Sequence, residues 1–319
     1  MRIIGIETSH DDTSIAVIEN GKVLKMWSIS QIDIFKEFGG TIPEISSREH
    51  VKNIGIIQKK LMNEFNLNTI DFVAYTSHPG LIGTLHIGYL FASALALFLN
   101  KELIPINHLD GHFFSASIEN KIKFPALCLL VSGGHTQLIY AKDKNNLEII
   151  GETLDDAVGE AFDKVATKCN LGFPGGPIID EAFKNYKGEY ISLPTPKTEA
   201  ELDFSFSGLK SSVLNYINKA NMQKQQIDYT KLAVSFQKVA VDYLIQQTKK
   251  AIDKYPIKTL ILGGGVSANS YLRQEFVKLH PNTIIPNLKY ATDNGAMIAQ
   301  CAYMRINKWK RFKAWVKRK

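Results

Sequence analysis

Cysteine is scarce in this 319-residue chain: three copies, Cys128, Cys169 and Cys301, lie far apart. No two form a Cys-x-x-Cys pair, so neither a disulfide framework nor a thiolate metal site is indicated. Cys128 and Cys169 sit in apolar settings and read as core residues. A long apolar run is also missing. The longest, residues 87–99, is too short to span a bilayer, so no membrane segment is expected. The N-terminal Met1-Arg-Ile-Ile-Gly-Ile-Glu7 meets an acid too early for a secretory signal, and a cytoplasmic protein is expected. Charge of one sign is absent from the body of the chain. The net charge of +7 comes from residues 305–319, where eight cations and no acid leave 30 basic against 31 acidic residues elsewhere. Such a local arm suits an anionic partner such as nucleic acid, the plainer alternative being a solvated helix end.

What is present is a repeated order of elements. Residues 2–7 read as a buried strand, followed by a polar turn, a strand over 15–19, the hairpin signal Asn20-Gly21, and a strand over 22–28. Helical periodicity over 43–65, a strand over 72–76, an apolar helix to Leu99 and a strand over 103–106 complete the first third. The order then restarts with strands over 126–131, 138–141 and 147–153, a helix over 156–169, a strand over 259–262 and helices to Leu279 and over 294–306. Strands alternating with helices give an α/β class. Two such meanders predict a duplicated, two-lobe actin-like fold with an inter-lobe cleft. The expected division is 1–106 for lobe I, with the final helix 294–319 packing back on it. Residues 107–293 form lobe II, with a helical and loop insertion at about 172–228.

Several stretches carry residues suited to chemistry. In His108-Leu-Asp-Gly-His112, Asn107 is a helix N-cap, so the two histidines lie one turn apart on one face and can reach a single metal ion. Asp293, in Thr292-Asp-Asn-Gly295, either caps the final helix or supplies a third, oxygen ligand. The turn 132–134 and the three glycines of Gly263-Gly-Gly-Val-Ser-Ala-Asn269 offer backbone N–H groups to an anionic or nucleotide ligand. The latter lacks the Gly-Lys-Ser/Thr of a Walker A loop. Asp156 and Glu160 form a like-charge face. Asp163 either accepts ribose hydroxyls or pairs with Lys164 or Lys168. A zinc-peptidase helix needs His-Glu-x-x-His, and Leu109 stands where its glutamate would be, so peptidase activity is not expected.

Taken together, Ile6-Glu-Thr-Ser, Gly39-Gly-Thr-Ile-Pro-Glu, His108-Leu-Asp-Gly-His112, Leu130-Val-Ser-Gly-Gly-His-Thr-Gln137, Asp155-Asp-Ala-Val-Gly-Glu-Ala-Phe-Asp163, Phe173-Pro-Gly-Gly176, Asp203-Phe-Ser-Phe-Ser-Gly-Leu-Lys210, Gly264-Gly-Val-Ser-Ala-Asn269 and Thr292-Asp-Asn-Gly-Ala-Met-Ile298 occur in order along the chain. This series resembles the TsaD family of bacterial tRNA N6-adenosine threonylcarbamoyltransferases, formerly labelled O-sialoglycoprotein endopeptidases. The resemblance implies an enzyme that moves the threonylcarbamoyl group of threonylcarbamoyl-AMP to N6 of adenosine 37, in tRNAs reading codons that begin with adenine. It implies one divalent metal, iron or zinc, on His108, His112 and Asp293. It also implies adenylate contacts at Leu130, Val131, Ser132, Gly133, Gly134, Asp163, Gly176, Asp180 and Asn269, and two partners, a TsaB-like paralogue and a TsaE-like ATPase. The chain departs from the family in having His10-Asp11-Asp12 for Cys-Asp-Glu and Asp110 for glutamate. It also lacks the usual Pro-Arg-Trp-containing end.

The substrate sets the chemistry. A mixed anhydride is already activated, so no covalent nucleophile is required. Orientation and oxyanion stabilisation are the expected contributions. Asp11, as general base, and Asp110 are the catalytic candidates. Two rivals remain open at this point: an actin-like small-molecule kinase or ATPase, and a non-catalytic tRNA-binding scaffold subunit.

Overall fold

The computed structural model describes residues 1–316, with side chains through Ile306. Apart from Arg305, the cations of the arm over 305–319 therefore lie outside the described side chains. The chain divides into two compact units, one of Met1–Ile122 with everything from Pro286 onward, the other of Lys123–Ile285.

In the first unit, β1 (Arg2–Glu7), β2 (Asp12–Glu19) and β3 (Lys22–Ser30) form a meander. Asn20 and Gly21 both take positive φ at its hairpin, the conformation that Asn-Gly adopts with least strain. There follow α1 (Ile32–Phe35), α2 (Pro43–Glu64), β4 (Phe72–His78), α3 (Ile82–Leu99), β5 (Glu102–Asn107) and α4 (His108–Ser115). The sheet order is β3-β2-β1-β4-β5. The meander pairs are antiparallel, and the β1–β4 and β4–β5 pairs are parallel. Ile4, Ile6, Ile15, Val17 and Val73 fill the core under α2 and α3. Burying each such side chain contributes about 1.5–3 kcal/mol.

The second unit contains β6 (Ala126–Val131), β7 (Thr136–Asp143), β8 (Asn146–Glu152), α5 (Val158–Lys168), α6 (Gly175–Asn185), α7 (Ser207–Met222), α8 (Tyr229–Lys254), β9 (Thr259–Gly263), α9 (Ser270–Phe276) and β10 (Thr283–Ile284). Its order, β10-β9-β6-β7-β8, is that of the first sheet repeated. Again the meander is antiparallel and the β6–β9 and β9–β10 pairs are parallel. The chain then returns to the first unit through α10 (Leu288–Ala291) and α11 (Gly295–Val316). This is a duplicated two-lobe α/β fold.

Three details differ from the sequence reading. The units part at 122/123 and 285/286 instead of 106/107 and 293/294, because α4 packs against α11 in the first unit. The helix α8 and the short β10 lie where no element was expected. The apolar helix α3 starts at Ile82, which makes it the one helix among the described residues long and apolar enough to cross a membrane, by length and composition alone. One stripe of α3 (Thr84, Gly88, Ala92, Ala96) is buried, and a Cβ at Gly88 would meet the Thr8 side chain at 2.1 Å, so the helix lies directly on the protein.

The backbone of α11 sits against β1 and β2 through two glycines. A Cβ on Gly5 would fall 2.1 Å from the carbonyl oxygen of Gly295, and one on Gly295 would fall 2.6 Å from that of Gly5. Only glycine permits this approach. It places the residues just before α11 beside the end of β1.

Candidate functional site

In the first unit, Asn107 caps α4, its side chain accepting from the N–H groups of Leu109 (2.8 Å) and Asp110 (3.2 Å). His108 and His112 follow one turn apart, both buried. Both Nε2 atoms face Asp293, at 3.5 Å from His108 and 3.0 Å from His112 to the same Oδ1. The three ligand-type atoms lie within 4.8 Å of one another. Asp293 does not cap the final helix. Asn294 does, accepting from the N–H of Met297 at 2.9 Å, which leaves the Asp293 carboxylate turned to the histidines.

His108 is held from behind. Its Nδ1 is 3.0 Å from Glu7 Oε2 and 3.1 Å from Ser9 Oγ. Glu7, the fully buried last residue of β1, also accepts from Thr76 Oγ1 (2.6 Å) and the N–H of Ser9 (2.5 Å). A carboxylate behind a metal-facing imidazole fixes its tautomer and raises its basicity. Burial alone would lower the His108 pKa, but Asp293 and Glu7 outweigh it and push the group up to about 9. Burial likewise opposes ionisation of Asp293, yet His108 and His112 hold that carboxylate below the usual range. The cluster therefore favours a positive charge at its centre. His112 carries the sharper sign: it is fully buried, and neither ring nitrogen makes a hydrogen bond of good geometry. Orphaned buried imidazole nitrogens are costly unless something binds them. Two imidazoles and a carboxylate with open positions suit zinc or iron.

Asp11 and Asp12 stand on the β1–β2 turn of the same unit. Asp11 Oδ1 is 2.9 Å from His10 Nδ1. Burial, with Asp293 and then Asp11 nearby, pushes the Asp12 carboxyl up to about 7. Asp110 is elsewhere. Two residues on from His108, it projects from another face of α4, forms a close ion pair with Arg305 and is not brought to the cluster. The Arg305 guanidinium also lies 5.1 Å from the centre of the Phe114 ring, so the contact ties α4 to α11.

The remaining candidate residues lie in the second unit and are linked in a chain of contacts. Leu130 and Val131 are the buried end of β6, leading into the turn 132–135. A Cβ on Gly133 or Gly134 would meet nothing within 4 Å, and the same holds for Gly176. Neither packing nor positive φ demands glycine at these three positions, so the space is open to a ligand. Gly159 at the start of α5 packs on the Ser132 carbonyl, while Gly264, at φ +84°, packs on that of Val131. Asp163 Oδ1 accepts from the N–H of Gly175 at 2.7 Å, joining α5 to the start of α6. Lys164 pairs with Asp156 and Glu160, both at 2.8 Å, which neutralises their like-charge face. Asp180 is buried and accepts from Ser270 Oγ (2.8 Å), the Ser270 N–H (3.1 Å) and Gln237 Nε2 (3.0 Å). It thereby fixes the start of α9, which Asn269 caps through the N–H of Leu272.

The chain matches a family of acyl-transferring enzymes along most of its length. The profile of the TsaD family, tRNA N6-adenosine threonylcarbamoyltransferase, matches residues 22–300. Curated relatives of that name include those of Mycoplasmopsis synoviae, 64% identical over 97% of this chain and 99% of the relative. Another, from Mycoplasmopsis agalactiae, is 62% identical over 96% and 99%. The chain belongs to the tRNA N6-adenosine threonylcarbamoyltransferase family and is an acyltransferase. Solved structures similar in fold include component A of (R)-2-hydroxyglutaryl-CoA dehydratase from Acidaminococcus fermentans, with TM-score 0.57 and 12% identity over 96% of this chain and 98% of that one. Full-length HypF aligns with TM-score 0.61 and 13% identity over 96% of this chain, which spans about half (46%) of the HypF chain. These likenesses show the actin-like fold alone.

Sequence reasoning gave Glu7 no role, although a buried acid ending an apolar strand is a signal in itself. It also left His50 unremarked. Nothing local marks that residue, whose partners lie on β2 and the turn before it.

Proposed function

We propose that the chain transfers the threonylcarbamoyl group of threonylcarbamoyl-AMP to N6 of adenosine 37 in tRNAs reading codons that begin with adenine, using one divalent metal, iron or zinc. The observation that carries the metal is the buried convergence of His108, His112 and Asp293, whose ligand-type atoms lie within 4.8 Å of one another while neither His112 nitrogen makes a hydrogen bond of good geometry. When bound, the metal supplies Lewis acidity and a template for the acyl group.

The protein's own groups do the rest. The open turn at Gly133 and Gly134, continuing Leu130, Val131 and Ser132, presents backbone amides to the phosphate or the carbonyl oxygen, while the Ser132 N–H closes the turn on the His135 carbonyl. Asp163, Gly176 and Asn269 hold the adenosine, with Asp180 keeping α9 and its cap in place. N6 attacks the carbamoyl carbon, the new C–N bond forms, the C–O bond to phosphate breaks, and AMP leaves with the electron pair. Asp11 is the candidate to take the N6 proton. The pairing of Asp110 with Arg305 argues for a structural contribution instead of a catalytic one.

For partners, we read the outward face of α2 and α3 as a protein-docking surface. Val51, Ile56, Met62, Leu90, Leu97 and Phe98 are all exposed there. With α3 packed down through its small-residue stripe, a partner protein fits this face better than a bilayer. The resemblance implies a TsaB-like paralogue and, less directly, a TsaE-like ATPase. A tRNA substrate implies the cytoplasm.

The test is nucleoside mass spectrometry on unmodified tRNA incubated with threonylcarbamoyl-AMP, the protein and its partners, beside His108→Ala. We expect threonylcarbamoyl-adenosine with the parent, and at least roughly a hundredfold less with a variant that also lacks metal. Equal product from a metal-free variant would make the cluster structural.

A further inference from the structure

The β1–β2 turn is pinned one carbonyl at a time. The Ser9 carbonyl accepts from Thr84 Oγ1 (3.1 Å) and the N–H of Leu81 (2.9 Å) at the start of α3. The Asp11 carbonyl accepts from the N–H of Gln31 just before α1 (3.0 Å). Between them, the His10 carbonyl accepts from two side chains of α2, Ser46 Oγ (2.6 Å) and His50 Nε2 (3.0 Å). His50 is fully buried. A carbonyl can only accept, so Nε2 carries the proton and Nδ1 is the acceptor. Nδ1 has the matching donor, Thr13 Oγ1 at 2.8 Å, which Asn53 Nδ2 supports at 3.3 Å. Burial lowers the His50 pKa, which keeps the ring in this neutral, one-donor, one-acceptor form.

One imidazole thus grips the chain on both sides of Asp11 and Asp12, at His10 and at Thr13. We propose that His50 is a positioning residue for the acyl transfer, fixing the Asp11–Asp12 pair relative to the metal-facing cluster. The inference rests on the reading of function above. Helix α2 offers a rigid base for this task, because its Ser46, His50 and Asn53 all turn inward to the same turn. A group held this way loses rate when it drifts, even though nothing it binds is lost.

The side-chain lengths make the test specific. Glutamine reaches where Nε2 lies and can still donate to the His10 carbonyl, while losing the Thr13 bond. Alanine loses both. Thr13→Val removes only the hydroxyl that Nδ1 accepts. We expect His50→Ala to lower kcat roughly tenfold to a hundredfold, with KM for the acyl donor and metal content near those of the parent. His50→Gln and Thr13→Val should each show a smaller kcat loss. Their double variant should be no worse than Thr13→Val alone, because both break the same His50–Thr13 bond and Thr13→Val also removes the acceptor of Asn53. The proposal is overturned if His50→Ala keeps parental kcat per folded molecule, if His50→Gln is as damaged as His50→Ala, if the loss lies wholly in KM, or if the two mild variants add. Should His50→Ala fail to fold, the comparison of His50→Gln, Thr13→Val and their double decides alone. Asp11→Asn is run beside them: full activity there removes Asp11 as the base in the functional reading, while the role of His50 still stands or falls with its own variants.

Discussion

The two units build one sheet twice and use it differently. Read outward from the centre, β1 with its antiparallel neighbours β2 and β3 and its parallel neighbours β4 and β5 is matched by β6 with β7 and β8, and with β9 and β10. Yet β1 ends in the buried acid Glu7, and its turn carries Asp11 and Asp12, each flanking carbonyl secured by a helix or its lead-in. β6 ends in Val131, and its turn carries bare glycines facing open space. The helix after β5 opens with two metal-type imidazoles, whereas β10 is two residues long and leads to Asp293. The shared topology supplies strand ends at which side chains can be displayed. What is displayed there decides the chemistry, so function follows the site and not the fold.

Glycine gives the hardest test of that contrast. In the first unit Gly5 is a packing requirement, since a Cβ would sit 2.1 Å from the Gly295 carbonyl oxygen and 2.5 Å from the Ala299 nitrogen. Both obstacles are backbone and cannot turn aside. Gly5→Ala should destabilise the protein by about 3 kcal/mol or more, a drop of several degrees in Tm. In the second unit Gly133→Ala should leave Tm unchanged and weaken binding of a non-reactive adenylate analogue, measured by calorimetry. If Gly133→Ala costs as much Tm as Gly5→Ala, the open turn is structural and the division of labour between the units fails.

The sequence made much of this legible, for identifiable reasons. Strand and helix periods follow from side-chain alternation, so the two meanders and the α/β class could be read directly. The spacing of His108 and His112, with Asn107 as cap, fixed their common face before any coordinates. Asp293 stayed ambiguous because Asp293 and Asn294 are both good caps, and only tertiary packing at Gly295 decides which of them caps. The setting of Asp110 was hidden for a similar reason. Its partner Arg305 is far along the chain, and no local pattern announces an ion pair of that separation. In the second unit the turn 132–134, Asp163 and the run to Asn269 stood out as candidates, while Gly176 and Asp180 rested on resemblance alone, since glycines in a turn do not reveal whether the fold or a ligand requires them.

A narrower test concerns the support behind the cluster. Glu7→Gln retains the size of the side chain but removes the charge facing His108 Nδ1. Metal affinity, followed by competition with a chromogenic chelator, should fall by roughly ten- to a hundredfold. Adenylate binding in the second unit should not change. An unaltered metal affinity would mean that the buried carboxylate serves only the strand end, through Thr76 and Ser9.

The smallest expected effect lies in the second unit, where a carboxylate serves structure alone. Asp155 accepts from Ser205 Oγ (2.5 Å), Ser207 Oγ (2.6 Å) and the N–H groups of Phe206 (2.7 Å) and Ser207 (3.2 Å). Helix α7 has no side-chain cap of its own at Phe206, so Asp155 caps it from a distance. Asp155→Ala should cost about 1 kcal/mol, as loss of an N-cap does, or roughly 2 °C in Tm. Metal content should not change. Burial opposes ionisation of Asp155, but the hydrogen bonds from Ser205 and Ser207 win and lower its pKa. A lowered folded-state pKa means that this stabilisation is fully present above the unfolded-state value, about 3.9, and is lost as pH falls through the folded one. The Tm gap between parent and variant should therefore hold from neutrality down to about pH 4 and close below it. A gap that persists in strong acid would assign the loss to packing around Ser205 and Ser207 and not to the carboxylate's charge.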